Sequence, residues 1–355
     1  MKKAHLLVGI GAIAALVLAG CGEPPEKKDD AGTSGADSDF KACMVSDAGG
    51  FDDKSFNQSS YEGLEKAEKD LGIKKEQLES KDNNDFGPNL DSMMAAGCKI
   101  TVTVGFNLAD ATKETAEANT DAKFTIVDDA SIELPNVKPI VYATQEATFL
   151  AGYLAAGYSK TGKVGTFGGM AIPSVTIFMD GFADGVAKYN EDNGTNVEVI
   201  GWDKAAQNGQ FSGDFDDQAK GKELTNTMIS QGADVIMPVA GPVGLGAAAA
   251  AKDAGNVVLV WVDADGYETT EYGDLMLTSA MKLMGEAVFE VIKSVKDDKF
   301  TSDPYVGTLE NGGVALAPLH DFESKVPADL VKAVDDLKAK VISGEIKVDS
   351  PSSPK

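Results

Sequence analysis

The sequence predicts an α/β protein built from two doubly wound parallel sheets, each forming one lobe. Short apolar runs alternate with stretches of helical spacing from residue 40 onward, the pattern of parallel strands covered on both faces. About nine such runs over some 220 residues suit two sheets better than one. After the second set the chain resumes with a lone helix, as it would on crossing back to the first lobe.

The elements follow in order. Residues 42–46 form an apolar run that ends in a Gly-rich turn, and 55–71 then has helical spacing. Further strand-like runs lie at 99–104, 123–127, 139–143, 163–167, 196–201, 234–238 and 257–262. Helical stretches at 88–96, 108–119, 145–159, 174–189, 217–231 and 243–253 separate most of them. The alanine run 247–251 favours helix. A helix over 279–295, a strand near 314–317 and a last helix over 328–342 complete the chain. The first crossing is expected near 143–148 and the second near 263–280. The N-terminal lobe then comprises 40–145 and 279–315, and the C-terminal lobe 146–278 and 316–345. No internal repeat is visible.

Composition narrows the function. The 355 residues are 43% hydrophobic and 25% charged, as in an ordinary globular protein. All 32 cations are Lys, and 56 acids bring the net charge to −24. Without Arg or a basic face, no nucleic-acid partner is expected. Only His5 and His320 are present, which removes His-based zinc sites and most general-base chemistry. Three Cys cannot make a disulfide scaffold. Most enzyme classes are disfavoured, and no cofactor or metal is expected. The acids at 214, 216 and 217 lack EF-hand spacing and read as a solvated loop. Residues 157–164 match most of a phosphate loop but end in Val and lead from helix to strand, the reverse of the required order.

The N-terminus indicates the compartment. Lys2 and Lys3 precede an uncharged apolar run over 6–19, too short for a lasting membrane span. The run ends in Leu18-Ala19-Gly20-Cys21, which resembles a bacterial lipobox. The resemblance implies a signal peptide at 1–20 and lipidation of Cys21, with acyl chains anchoring the chain to the cell membrane on its extracytoplasmic face. Residues 21–39 lack aromatic and large aliphatic side chains and read as a flexible tether.

In open parallel sheets, ligands gather beyond the carboxyl ends of the strands. The first such loop reads Asp47-Ala48-Gly49-Gly50-Phe51-Asp52-Asp53-Lys54-Ser55-Phe56-Asn57-Gln58. Asp53 or Ser55 can cap the helix that follows. Capping does not explain three Asp, a Phe and an Asn together. The segment resembles the DxGxxDDxSFNQ signature of the basic membrane protein (BMP/PnrA-like) family. The segment from Gly168-Gly169 through Pro173 and Phe178 to Asp180-Gly181-Phe182 is similar to that family's GGxxxPxVxxFxxGF. Ala240-Gly241-Pro242-Val243-Gly244, Trp261-Val262-Asp263-Ala264-Asp265 and Thr278-Ser279-Ala280-Met281-Lys282 resemble its later motifs in the same order. Trp261 replaces the family's Gly, and Gly266 its Gln. The resemblance spans roughly residues 40–320. It implies the type I periplasmic binding-protein fold, with three crossings and a central cleft. The function it implies is that of a lipid-anchored, monomeric, non-enzymatic protein that captures nucleosides for an ABC transporter permease.

On that reading the site residues follow from what a nucleoside presents. Its base is held by aromatic faces, and Phe56 and Phe178 offer one from each lobe. Asn57 can donate and accept to a base edge, and Asp128 can accept a base N–H, with Asp129 beside it as the alternative. A ribose diol donates two hydroxyls to carboxylates. Asp47 and Asp263 are placed to take them, Asp265 is the alternative to Asp263, and Lys282 donates to ribose oxygens. Gly241 lets the backbone approach the ligand. An Asp-rich cleft in a chain without Arg repels phosphates and dicarboxylates and suits an uncharged, hydroxyl-rich solute. Cys43 and Cys98 lie on or beside strands that are commonly neighbours in such a sheet, and an exported chain can oxidise them to a disulfide. Two other roles compete with nucleoside delivery: a surface lipoprotein acting as adhesin or sensor on the same fold, and a binder of another neutral solute such as a sugar.

Overall fold

The structure is a computed structural model, and it describes residues 39–354. The expected signal peptide, the expected tether and Cys21 lie outside the described residues. In chain order the first half runs β1 (Lys41–Ser46), α1 (Phe56–Leu71), β2 (Lys74–Leu78), α2 (Phe86–Ala95), β3 (Ile100–Val104), α3 (Ala109–Ala118), β4 (Lys123–Val127) and β5 (Val137–Tyr142). The chain then passes to α4 (Thr144–Tyr158), β6 (Lys163–Gly168), α5 (Pro173–Asn193), β7 (Glu198–Ile200) and a short hairpin of β8 (Trp202–Asp203) and β9 (Asn208–Gly209). It continues through α6 (Gln218–Ser230), β10 (Val235–Val239), α7 (Val243–Ala254), β11 (Val258–Asp263), the one-turn α8 (Gly266–Thr269) and β12 (Met276–Lys282). Finally come α9 (Met284–Lys296), β13 (Tyr305–Gly307), β14 (Val314–Leu316) and α10 (Ala328–Ile342).

Two six-stranded sheets result, ordered β13-β5-β4-β3-β1-β2 and β14-β12-β11-β10-β6-β7. All pairings in them are parallel except β12 with β14. The two orders correspond strand for strand. The lobes therefore share one plan that the sequence does not show. The chain changes lobe after β5, after β12 and between β13 and β14. At the first two passages the backbone is nearly identical: φ −81°, ψ 59° at Ala143 and φ −84°, ψ 60° at Leu283. Each passage delivers a helix to the other lobe. Helix α4 packs on α5, while α9 packs on α1.

Three differences from the sequence reading have physical causes. The region 279–295 is not one helix. Residues through Lys282 belong to β12, and the helix starts at Met284. The β12 strand lies inside its sheet with both faces buried, so its mixed run of Met, Leu, Thr, Ser and Ala carries no alternation to mark it. Strand β2, Lys-Lys-Glu-Gln-Leu, is a polar edge that the hydrophobic pattern misses. Strand β13 carries only Tyr305 and Val306 before Gly307, too few apolar side chains to register as a run.

Glycines let α4 and α5 pack closely. A Cβ on Gly152, Gly181 or Gly185 would fall 2.0–2.2 Å from an oxygen of the facing helix between α4 and α5. Cys43 on β1 and Cys98 before β3 are joined by a disulfide, with Cα atoms 5.9 Å apart. We expect Gly185→Val to lower stability by roughly 3 kcal/mol, because the added methyls overpack a contact with no space to yield. Urea unfolding measures this, and an unchanged midpoint would contradict the packing.

Candidate functional site

The site lies between the carboxyl ends of the two sheets, in a cleft of about 530 Å³ counting its open mouth. Asp47, Phe56, Asn57, Asp128, Phe178, Gly241, Asp263 and Lys282 all line it. Corresponding strands supply corresponding acids. Asp128 follows β4 and Asp263 ends β11, and both take a left-handed backbone, φ +70° and +69°. Non-glycine residues seldom hold that conformation, and it gathers at functional sites. Gly241, at φ +53°, turns the loop after β10 so that its backbone borders the cleft.

Two polar groups face the space. The first is built on the loop after β1. Asn57 Nδ2 donates to Asp47 Oδ1 at 2.9 Å and to Asp53 Oδ2 at 3.2 Å, which fixes the amide's orientation. Asp53 also accepts from the backbone N–H groups of Ser55, Asn57 and Gln58, so it caps α1. Asn57 Oδ1 is left buried, with no hydrogen-bond partner among the described residues. Burial raises the Asp47 carboxyl from 3.8 to about 8, although the Asn57 hydrogen bond opposes the shift. Near neutral pH Asp47 therefore holds a proton and can donate.

The second group centres on Lys282, the last residue before the second passage. Its Nζ donates to Asp128 Oδ2 at 2.6 Å and lies 3.6 Å from Asp263 Oδ1. The lysine is 3% exposed. Burial alone would favour the neutral amine, but the two carboxylates together hold its pKa above the ordinary value. Burial raises the Asp128 carboxyl against the pull of Lys282. The same ammonium lies 5.1 Å from the Phe56 ring centre and 5.0 Å from that of Phe178, so both rings share one cation.

These contacts redistribute the residues named from sequence. Asp47 pairs with Asn57, whereas Asp128 joins Asp263 around Lys282. Asp265 turns away: it accepts from Tyr267 N and lies 2.8 Å from His320 Nε2. Asp129 accepts from both the N–H and hydroxyl of Ser131. In the acidic loop Asp217 caps α6, accepting from the N–H groups of Ala219 and Lys220, and Asp214 accepts from the N–H of Asp217 and from Lys220 Nζ. Phe106, Asn107 and Phe215 also line the cleft, and the sequence reading did not name them. Phe215 sits in that acidic loop, where charge hid it. Phe106 follows Gly105, and a glycine directly after β3 was the available signal; its φ is +121°.

The lobes touch across the cleft. Ser55 Oγ of the first lobe lies 3.1 Å from both Asp263 Oδ2 and Val262 O of the second, and its one hydroxyl hydrogen is shared between them. Trp261, standing where the family motif has Gly, donates from Nε1 to Lys54 O at 3.3 Å. The departure from the motif thus supplies an interlobe contact.

Comparison with known proteins gives a consistent picture. Residues 40–352 match the family described as ABC transporter substrate-binding protein PnrA-like. The chain is 34% identical to the ABC transporter nucleoside-binding protein BmpA of Lactococcus lactis subsp. cremoris, covering 99% of this chain and 100% of that protein. It is 30% identical to basic membrane protein A of Borreliella burgdorferi, covering 87% and 88%. Among solved structures, an ABC transporter solute-binding protein from Aeropyrum pernix superposes with a TM-score of 0.79 at 26% identity, covering 88% of this chain and 94% of that one. The two-lobed architecture is thus the periplasmic binding-protein fold.

The raised Asp47 pKa has a direct consequence for stability. Its protonated form favours the folded state, so the associated stability is whole below about pH 4 and is lost as pH rises toward 8. Asp47→Asn removes that loss and keeps an oxygen for Asn57. Relative to the unaltered protein, we expect a gain of roughly 1–3 kcal/mol at pH 8.5 and little at pH 4. Urea midpoints at the two pH values test this, and equal effects at both would refute it.

Proposed function

The chain belongs to the family of PnrA-like ABC transporter substrate-binding proteins, whose members bind solute rather than transform it, and from that premise we propose that it captures purine nucleosides and delivers them to a permease. The observation that carries the reading is a pair of rings from opposite lobes beside two buried acceptors, Asn57 Oδ1 and Asp263 Oδ1, that lack hydrogen bonds among the described residues. A buried acceptor without a donor costs about 1–3 kcal/mol; Asn57 Oδ1 has none and Asp263 Oδ1 has only its 3.6 Å ion pair with Lys282, so each favours a ligand that brings a donor. A nucleoside brings a flat base for Phe56 and Phe178 and N–H and O–H groups for the acceptors. In this reading Asn57 Oδ1 offers an acceptor and protonated Asp47 a donor to the base edge. Asp128, Asp263 and Lys282 take the sugar hydroxyls. Ligand contacts on both lobes stabilise the closed form, which is the form a permease would recognise. Lipidation at Cys21 would hold the protein at the outer face of the membrane, and among the described residues no helix is long and apolar enough to cross one. The nucleoside-binding name of the Lactococcus relative supports the ligand class.

Two measurements test the reading. Calorimetry should show binding of adenosine or inosine at least a hundredfold tighter than of the 5′-monophosphates, because the one lysine beside the sugar is already paired with two acids. Equal affinities for adenosine and its monophosphate would overturn the charge argument. Asp263→Ala should cost about 1.5–3 kcal/mol of nucleoside affinity while leaving the free base nearly unaffected. A nucleoside affinity equal to that of the unaltered protein would remove Asp263 from the sugar site.

A further inference from the structure

Behind the Asp128–Lys282 pair the interlobe gap widens into a second space, about 1060 Å³ including its opening to solvent. It borders the cleft around Phe106, Asp128, Ser174 and Lys282, which line both. Tyr142 and Thr144 line it as well, and they flank the first passage between lobes. Tyr142 ends β5 as Lys282 ends β12, so the two residues hold equivalent places in the two lobes. The Tyr142 hydroxyl and Thr144 Oγ1 are buried, and neither has a hydrogen-bond partner among the described residues. The residues themselves are 3% and 1% exposed. Burial keeps the Tyr142 phenol protonated by raising its pKa well above 10.

The outer wall is the segment 351–354. It is tied to the second lobe. Ser350 Oγ donates to the buried Asp180 Oδ2 at 2.6 Å, Lys204 Nζ donates to Asp349 O at 2.6 Å, and the hydroxyls of Thr176 and Ser352 are 2.9 Å apart. The facing wall, Phe106, Asp129 and Pro304, belongs to the first lobe. The chamber is therefore shaped when the lobes close. Lys282 is the one cation among its described lining residues, and Asp128 and Asp263 already pair it.

We propose that this chamber is a subsite for an uncharged polar substituent carried on the sugar end of the ligand, so that sugar-extended nucleosides are substrates alongside the parent compounds. The proposal rests on the nucleoside reading, which puts the sugar at Asp128 and Lys282. An extension from there enters a space walled by Tyr142, Thr144, Ser174, Ser352 and Ser353, with the unpaired Tyr142 and Thr144 hydroxyls buried just beneath its surface. A hydroxyl or thioether satisfies that surface, whereas a phosphate meets two acids with no free cation.

Calorimetry on the unaltered protein tests this with adenosine and inosine, each beside its 5′-deoxy-5′-(2-hydroxyethylthio) derivative. Affinity of the extended compound within thirtyfold of its parent is expected. A larger loss, with the parent still bound, overturns the chamber and leaves the nucleoside reading intact. Failure of parents and derivatives alike sinks both. Tyr142→Phe should lower the ratio of extended to parent affinity about tenfold, and an unchanged ratio would contradict the role of the hydroxyl in the subsite.

Discussion

The organising constraint of this molecule is one buried ammonium held between carboxylates of opposite lobes. Lys282 stands at the end of β12, one residue before the chain leaves the second lobe, and its partner Asp128 stands at the end of β4 in the first. Removing such charges from water costs several kcal/mol per ion, and opposite charges in close geometry recover it only when each is satisfied. Asp128 and Asp263 satisfy the lysine. The lysine leaves an oxygen of Asp263 without a hydrogen bond. The ion set therefore joins the lobes and leaves unused binding capacity facing the cleft.

The correspondence of the two sheets explains why the acids lie where they do. Strand β4 in one lobe and β11 in the other end in an aspartate with the same unusual backbone. Each projects from its own sheet toward the shared gap. A single-lobed protein of this plan would present one acid to solvent. Two lobes facing each other present both to one solute, with walls that exclude water. Burial then raises the carboxyls, as at Asp47 and Asp128, and the site holds protons where a surface acid would not.

Much of this was legible in the sequence because binding loops follow strands. The run from Asp47 to Gln58 carries more acids and amides than a helix cap requires, and the excess marked the site. The alternation of apolar runs and helical stretches gave the two sheets. Pairing within the site was not legible. Whether Asp47 faces Asn57 or Asp263 depends on how the lobes meet, and no local pattern encodes that. The β12 strand failed for a related reason: a buried central strand and the start of a buried helix look alike as short apolar runs. The role of Trp261 was hidden because its partner, Lys54 O, is a backbone atom on the other lobe.

The exchange of helices at the passages also governs the order in which the molecule can be assembled. Helix α9 covers the first sheet beside α1, with the backbone of Gly285 so close to Gly63 that a Cβ there would lie 2.3 Å from its oxygen. Yet α9 follows every parallel strand of the second sheet in the chain. During synthesis, the first lobe emerges with one apolar face covered by α1 alone and stays incomplete until nearly the whole polypeptide is available. Contacts so distant in sequence slow folding. An early-emerging half that cannot finish alone keeps the nascent chain loose for as long as the ribosome is still adding to it.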